Sequence, residues 1–531
     1  MTAPTDRSAS APERDETPAE TSRGDLHLRR ALLDDVHPPE WRNPEPARLY
    51  DFVVIGAGPA GLTAAYEAAA RGAMVALIER GRLGGVCLNA GCAPSKAIIR
   101  SARLYADMRD AADYGGRPPR GIEVDFPALM QRMRRVQARL ARGDSVQRLL
   151  EAGVDVFFGA ARFAGPGTVT VAGASLRFRK ALVATGARAM TPMIPGLAEA
   201  GYLTNDTVFD LAQCPRRLLV IGGGPLGCEL AQAFSRFGAQ VIIAQDDPMF
   251  LPKEERDAAQ ILSDALARDG VEIHLNTPAV SVRVDGTTKI VELVSAGDKF
   301  SVCVDEILTG IGRSPNVEDL NLEAAGVRYD ADRGIHVDDF LRTGNRRVFA
   351  AGDVCMEHKF THAAAAAARV AVGNALFMGR KRLSSLTIPW CTYTDPEIAH
   401  VGIYVREARR RNVPVRTFTV LMHDVDRAVT DGEENGFVKI HVRDGTDRIL
   451  GATVVARHAG EMINGLCLAI TSGIGLRALA RVIQAYPTQA DAIKLAADAF
   501  SRTRVTRFRR LLTRLWLDKP ELLPRRERFR F

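Results

Sequence analysis

Asp51-Phe52-Val53-Val54-Ile55-Gly56-Ala57-Gly58-Pro59-Ala60-Gly61 is a short apolar run, then three glycines in a G-x-G-x-x-G pattern, then an Ala-rich stretch. The run has the length and composition of a strand buried on both faces, and the glycines read as a turn into a helix. A second apolar strand, residues 74–78, ends at Glu79, 18 positions after Gly61. Gly56 permits a tight turn, Gly58 lets backbone approach a pyrophosphate, and Gly61 lets helix and strand pack closely. The new helix offers unpaired N–H groups and a positive dipole end to phosphates. Glu79 is placed to hydrogen-bond ribose hydroxyls.

The pattern occurs twice. Residues 217–221 form another apolar strand, followed by Gly222-Gly223-Gly224-Pro225-Leu226-Gly227, a helical run, and a strand at 241–244. Gln245 stands where Glu79 stood, again 18 positions beyond the third glycine. One glycine pattern is a weak signal, because glycine turns are common. Two copies in strand–turn–helix–strand context predict two dinucleotide sites, with Gly222, Gly224, Gly227, Gln245 and Asp246 at the second. Asp246 and Asp247 follow Gln245, and the first base is Lys253. Acidic neighbours repel a 2′-phosphate, so NADH is favoured over NADPH.

Just after the first unit comes Gly84-Gly85-Val86-Cys87-Leu88-Asn89-Ala90-Gly91-Cys92-Ala93-Pro94-Ser95-Lys96. Cysteines five apart in a Gly-rich turn entering a helix can close a small disulfide loop, which suits redox chemistry better than structural bracing. Zinc ligation would need two more Cys or His at paired spacing, and none is present, so no metal site is expected. The other six cysteines are scattered singly, unlike a secreted disulfide scaffold.

The Gly84–Lys96 segment resembles the active-site signature of the group I pyridine nucleotide–disulfide oxidoreductases, which include dihydrolipoamide dehydrogenase, glutathione reductase and mercuric reductase. The resemblance covers about residues 49–505. Ala184-Thr185-Gly186 resembles the turn closing the first FAD segment, and Thr309-Gly310-Ile311-Gly312-Arg313-Ser314-Pro315-Asn316 the turn closing the nucleotide domain. Ala351-Gly352-Asp353 resembles the second FAD motif, and Tyr393-Thr394-Asp395-Pro396-Glu397 the start of a dimerisation domain.

The resemblance implies an α/β protein with two Rossmann-like dinucleotide-binding domains, for FAD and NAD(P)H, plus a C-terminal α+β dimerisation domain. Its implied boundaries are a flexible extension at 1–48, an FAD domain at 49–198 and 327–383, a nucleotide domain at 199–326, a dimerisation domain at 384–504 and a basic amphipathic tail at 505–531. It implies that Cys92 lies beside the flavin as a charge-transfer thiolate and that Cys87 attacks the acceptor. Lys96 would sit by flavin N5, paired with Glu229. Cofactor contacts are implied for Gly85, Ala160, Thr185, Gly186, Gly312, Gly352 and Asp353, the last through the ribityl chain. A homodimer is implied, with Tyr486 completing the partner subunit's site.

The family's C-terminal His-Pro-Thr-x-x-Glu reads Tyr486-Pro487-Thr488-Gln489-Ala490-Asp491 here. A phenol, with a pKa of about 10, is a poor base near neutrality. Efficient reduction of lipoamide or glutathione disulfide is therefore not expected. Mercuric reductases place a tyrosine near this point, and thiolates suit soft metal ions. Yet the C-terminal vicinal cysteines that deliver Hg(II) in that group are missing, and residues 1–48 contain no cysteine. The pattern is similar to a bacterial subgroup commonly labelled mercuric reductase. The expectation is a disulfide or soft metal-ion reductase. Competing readings are a dihydrolipoamide dehydrogenase-type enzyme, a transhydrogenase or diaphorase that bypasses the thiols, and a non-catalytic flavoprotein component of a membrane complex.

The 531 residues suffice for three or four domains. The net charge of +8 is concentrated in residues 501–531, which carry eleven bases against three acids. The remainder is balanced, which argues against a nucleic-acid-binding body. Residues 1–24 lack the apolar core of a secretory signal, and no run of 18 apolar residues occurs, so a cytoplasmic location is expected. Val505, Phe508, Leu511, Leu512, Leu515 and Trp516 fall at helical spacing among arginines. Such a helix either packs on the protein's own body or lies on the inner membrane face.

Overall fold

The computed structural model describes residues 23–117, 121–503, 513 and 516. Its central element is a parallel sheet in which Tyr50–Ile55 lies between Val75–Glu79 and Ala174–Val183. Val154–Phe158 extends it on one side and Val348–Ala350 on the other. Because both faces carry helices, these strands are near-continuous apolar runs rather than alternating ones. The helices Pro59–Ala69 and Thr361–Leu376 share one of the cores against the sheet.

A second parallel sheet runs Val271–His274, Gln240–Ala244, Arg217–Ile221, Glu306–Thr309. The twin glycine turns behave alike. Pro59 and Pro225 open their helices, where a missing N–H costs nothing, after the extended Gly58 and Gly224. A side chain at Gly61 would overlap the carbonyl oxygen of Gly56, and one at Gly227 that of Gly222. This is the helix–strand contact expected of the third glycine.

The C-terminal unit is a five-stranded antiparallel sheet in the order Pro389–Thr392, Glu397–Gly402, Ile449–Ala456, Phe437–Arg443, Val415–Leu421. The helices Ala459–Thr471 and Asp491–Thr503 cover it, with Phe500 edge-on to Phe418.

The N-terminal segment differs from the expected flexible extension. Arg23–Val36 is helical, and Leu32 and Val36 enter the first core. His37 stacks on Phe158 at 4.1 Å and Trp41 meets the same ring edge-on. Asn43 exchanges two 2.8 Å hydrogen bonds with the Phe158 backbone. Its polar, Pro-rich composition concealed how few anchors suffice to hold the segment. Residues 1–22 lie outside the described residues, as does nearly all of the basic tail. Among the described residues no helix is long and apolar enough to cross a membrane.

Candidate active site

Cys87 sits in the short helix Gly85–Asn89, and Cys92 opens the helix Cys92–Arg109. Gly84 and Gly85 have φ of 85° and 57°, which lets the thiol loop turn sharply. A side chain at Gly85 would stand 2.7 Å from Gly58 Cα. The thiol loop is thereby pressed against the first glycine turn. Gln137 holds it from the other side, donating to the Leu88 and Asn89 carbonyls at 3.0 and 2.9 Å.

Both cysteines are free thiols. Cys92 is lowered to about 5, chiefly by a hydrogen bond from Cys87; burial opposes this, and Thr361 and Lys96 assist. The Cys92 Sγ to Thr361 Oγ1 distance is 3.5 Å. Cys87 is pushed strongly upward by that same bond and by burial. The pair is thus polarised, with the anion on Cys92, which is exposed at a helix N-terminus, while Cys87 is half-buried.

Lys96 lies one turn along the helix from Cys92. Its Nζ donates to Glu229 Oε2 at 2.8 Å and lies 4.4 Å from the centre of the Tyr393 ring. The other oxygen, Oε1, accepts the Tyr393 N–H at 2.9 Å. Burial works against the Lys96 charge, yet Glu229, with help from Cys92, carries its pKa upward on balance. The structure therefore brings together Cys87, Cys92, Lys96 and Glu229 as expected. It adds Thr361 and Tyr393. Tyr393 opens the Tyr393–Glu397 motif of the sequence, and Thr361 opens the Ala-rich helix Thr361–Leu376, where no sequence motif marks it.

A cleft opens at the first glycine turn, bordered by Gly56, Glu79, Gly159, Ala160, Thr185 and Asn316. Glu79 Oε2 accepts the Ala57 N–H and Oε1 the Gly81 N–H, both at 2.7 Å. Burial raises the Glu79 pKa against these two amides. Thr185 Oγ1 donates to Asn316 O at 2.7 Å, tying the Thr185-Gly186 turn to the end of the Thr309–Asn316 segment. Gly352 is left-handed at φ 83°, packed near Ala60 and Ala364. Asp353 Oδ2 pairs with Arg313 at 3.3 Å, and burial raises its carboxyl. Side-chain-free turns, a concave wall and buried carboxylates fit a dinucleotide such as FAD.

At the second turn, a side chain at Gly222 would stand 2.8 Å from Gly310 O, and Gly312 has φ 135°. Gln245 is buried, and its Nε2 donates to Met249 O at 2.8 Å. Its side chain also covers Gly223. Asp246 is exposed, and Asp247 accepts the Met249 N–H at 2.8 Å.

Tyr486 and Asp491 do not line the cleft at Cys87 within one chain. Tyr486 is exposed and donates to Asp426 at 2.7 Å, a bond that raises its pKa. Asp491 begins the helix that covers the C-terminal sheet. Among the described residues no group of three or more His, Cys, Asp or Glu could hold a metal ion.

The pyridine nucleotide-disulphide oxidoreductase family profile matches residues 50–369, and its dimerisation domain matches residues 388–497. The chain is 35% identical over 464 residues to a mercuric reductase of Acidithiobacillus ferrooxidans, covering 85% of this chain and 82% of that one. It is 33% identical over 470 residues to a dihydrolipoyl dehydrogenase of Thermus scotoductus, covering 86% and 99%. Among solved structures, the HOCl-induced flavoprotein disulfide reductase RclA of Escherichia coli, in its Cu(II) complex, superposes with a TM-score of 0.75 at 28% identity, covering 83% and 98%. The chain therefore belongs to the pyridine nucleotide-disulphide oxidoreductase family, whose members use FAD and a pyridine nucleotide.

Proposed function

We propose that the protein is an FAD-dependent NAD(P)H oxidoreductase. It uses Cys87 and Cys92 to deliver electron pairs to a small disulfide or a soft metal ion, in the manner of a mercuric reductase. The observation that carries this reading is the polarised thiol pair: Cys92 held as a thiolate near Lys96, and Cys87 lining a separate cleft. Relatives named mercuric reductase support a soft metal ion, and a solved relative in a Cu(II) complex supports a metal-ion acceptor.

Gly56, Gly58, Gly61, Glu79, Ala160, Thr185, Gly186, Gly352 and Asp353 would hold the FAD, and Gly222, Gly224, Gly227, Gln245, Asp246 and Gly312 the nicotinamide nucleotide. When bound, FAD supplies the two-electron chemistry between nucleotide and thiols. The chain's own residues do the rest. Lys96 keeps a fixed positive charge near Cys92, Glu229 pins that lysine, and Thr361 hydrogen-bonds the Cys92 sulfur. Cys92 stays anionic, which leaves Cys87 as the thiol that meets the acceptor. Asp246 and Asp247, with no arginine between them and Arg256, favour NADH. The working unit is a homodimer, in which Tyr486 of the partner subunit approaches the cleft.

The test is NADH and NADPH oxidation by FAD-loaded protein against Hg(II), lipoamide, glutathione disulfide and quinones. Hg(II) or a disulfide is expected to support turnover, and Cys87→Ser to abolish it. Unchanged acceptor reduction by Cys87→Ser would sink the dithiol reading and leave diaphorase chemistry.

A further inference from the structure

The cleft at Cys87 is open to solvent, and its walls carry Tyr66, Glu67, Asp144, Thr361 and Arg369. Two of these groups satisfy each other: Arg369 Nε donates to Glu67 at 3.0 Å. Two others do not. The Tyr66 hydroxyl is buried without a hydrogen-bond partner among the described residues. Asp144, half-buried on the turn Arg142–Asp144 after a long helix, has neither hydrogen bond nor ion pair among them, so its carboxylate is free to act in the cleft it shares with Cys87. A buried hydroxyl without a partner is costly, so Tyr66 marks a place in that cleft where a substrate supplies the partner.

Thiol exchange at Cys87 needs one proton removed and one returned. Cys87 must lose its proton to attack, and the departing sulfur must gain one. Histidine, the usual group for this task, is absent from the C-terminal motif, and the Tyr486 phenol standing there is bonded to Asp426. We infer that Asp144 is the acid–base group for acceptor reduction at Cys87, with Tyr66 as its neighbour for binding the acceptor. This rests on the reading of Cys87 as the outer thiol.

With a disulfide acceptor the steps balance. The Asp144 carboxylate takes the Cys87 proton as Cys87 sulfur bonds to one acceptor sulfur and the acceptor S–S bond breaks. The departing thiolate takes the proton back from Asp144. The Cys92 thiolate then attacks Cys87 sulfur, closing the Cys87–Cys92 disulfide and releasing the second thiolate, which is protonated from solvent. Two electrons pass from the dithiol to the acceptor. Burial raises the Asp144 carboxyl, with Arg148 opposing, which brings it nearer to a thiol in basicity. Asp144 in turn is one of the charges that push Cys87 upward. The other groups around it are Tyr66 and Glu67 from Pro59–Ala69, Arg369 from Thr361–Leu376, and Asp35, which faces the neighbouring Arg142.

The experiment mixes pre-reduced, FAD-loaded protein with two probes in single turnover. Bis(2-hydroxyethyl) disulfide releases an alkyl thiolate that needs a proton to depart. 5,5′-Dithiobis(2-nitrobenzoic acid) releases an aryl thiolate that does not. Asp144→Asn is expected to slow the alkyl probe about 100-fold, through both proton steps, and the aryl probe about 10-fold, through loss of the Cys87 deprotonation alone, with Asp144→Glu restoring most of the rate. Equal slowing of both probes, or slowing of neither, overturns the assignment. Cys87→Ser separates the two claims. If it stops both probes, the outer-thiol reading stands whatever Asp144→Asn does. If it stops neither, that reading falls and takes this inference with it.

Discussion

Lys96 and Glu229, 133 positions apart in the chain, meet with Nζ and Oε2 2.8 Å apart, and Glu229 is almost wholly buried. The helices Cys92–Arg109 and Pro225–Arg236 are thus clamped across the two nucleotide-type units, one turn from Cys92. Glu229 also receives the Tyr393 N–H, so one carboxylate ties three parts of the chain.

Removing that carboxylate strands a lysine that is only partly exposed. Glu229→Ala is expected to lower stability by about 2 kcal/mol, less than the cost of breaking a fully buried pair from one side. Glu229→Gln should cost less, since its carbonyl still accepts the Tyr393 N–H. Urea unfolding of the three proteins checks this. An unmoved midpoint in Glu229→Ala would show that the clamp contributes nothing.

Cys92 should alkylate as a thiolate well below the ordinary thiol range. Iodoacetamide modification, followed by mass spectrometry, is expected to reach half its maximal rate near pH 5. The same depression stabilises the fold. Between about pH 8.5, the unfolded thiol value, and pH 5 the unfolded chain binds more protons, so stability falls as the pH is lowered through that window. Cys87 is shifted upward, so its opposite effect enters only above that window. Cys92→Ser should flatten the slope, as unfolding midpoints measured across pH would reveal.

Asp246 is exposed at the end of the strand that would carry the nucleotide ribose. Asp246→Arg places a cation where a 2′-phosphate would lie. The ratio of kcat/KM for NADPH over NADH is expected to rise about 10-fold, equivalent to roughly 1.4 kcal/mol. Steady-state kinetics with both nucleotides decides it, and an unchanged ratio would place the ribose contact elsewhere.

Asn43 pairs with both the N–H and the carbonyl of Phe158, as a neighbouring strand would. Asn43→Ala leaves both groups without their partner, and a loss of about 2 kcal/mol is expected. Phe158 pairs in register with Glu79, so FAD affinity should weaken as well. Calorimetric unfolding of the protein with and without FAD reads both effects.

The residue types that do chemistry were legible in the chain. Repeated glycine patterns, two cysteines five apart and a lysine one helical turn on are local arrangements, and local periodicity records them. The strand edges at the first turn differ from the sequence reading by one residue: strands expected at 51–55 and 74–78 are Tyr50–Ile55 and Val75–Glu79. The anchoring of His37, Trp41 and Asn43 on Phe158 was not legible, because it depends on a strand more than a hundred positions away.

By itself, the sequence determined that there are two nucleotide-type turns and one thiol pair, since steric exclusion at glycine and sulfur chemistry belong to single residues and short spacings. Tertiary structure supplied the physical reason the anion sits on Cys92, because that depends on Cys87, Thr361 and Lys96 meeting around it. It also decided that Tyr66 and Asp144, on separate helical segments, share the cleft of Cys87. Such contacts join residues far apart in the chain, where packing of the sheets and helices, rather than spacing, sets which side chains meet.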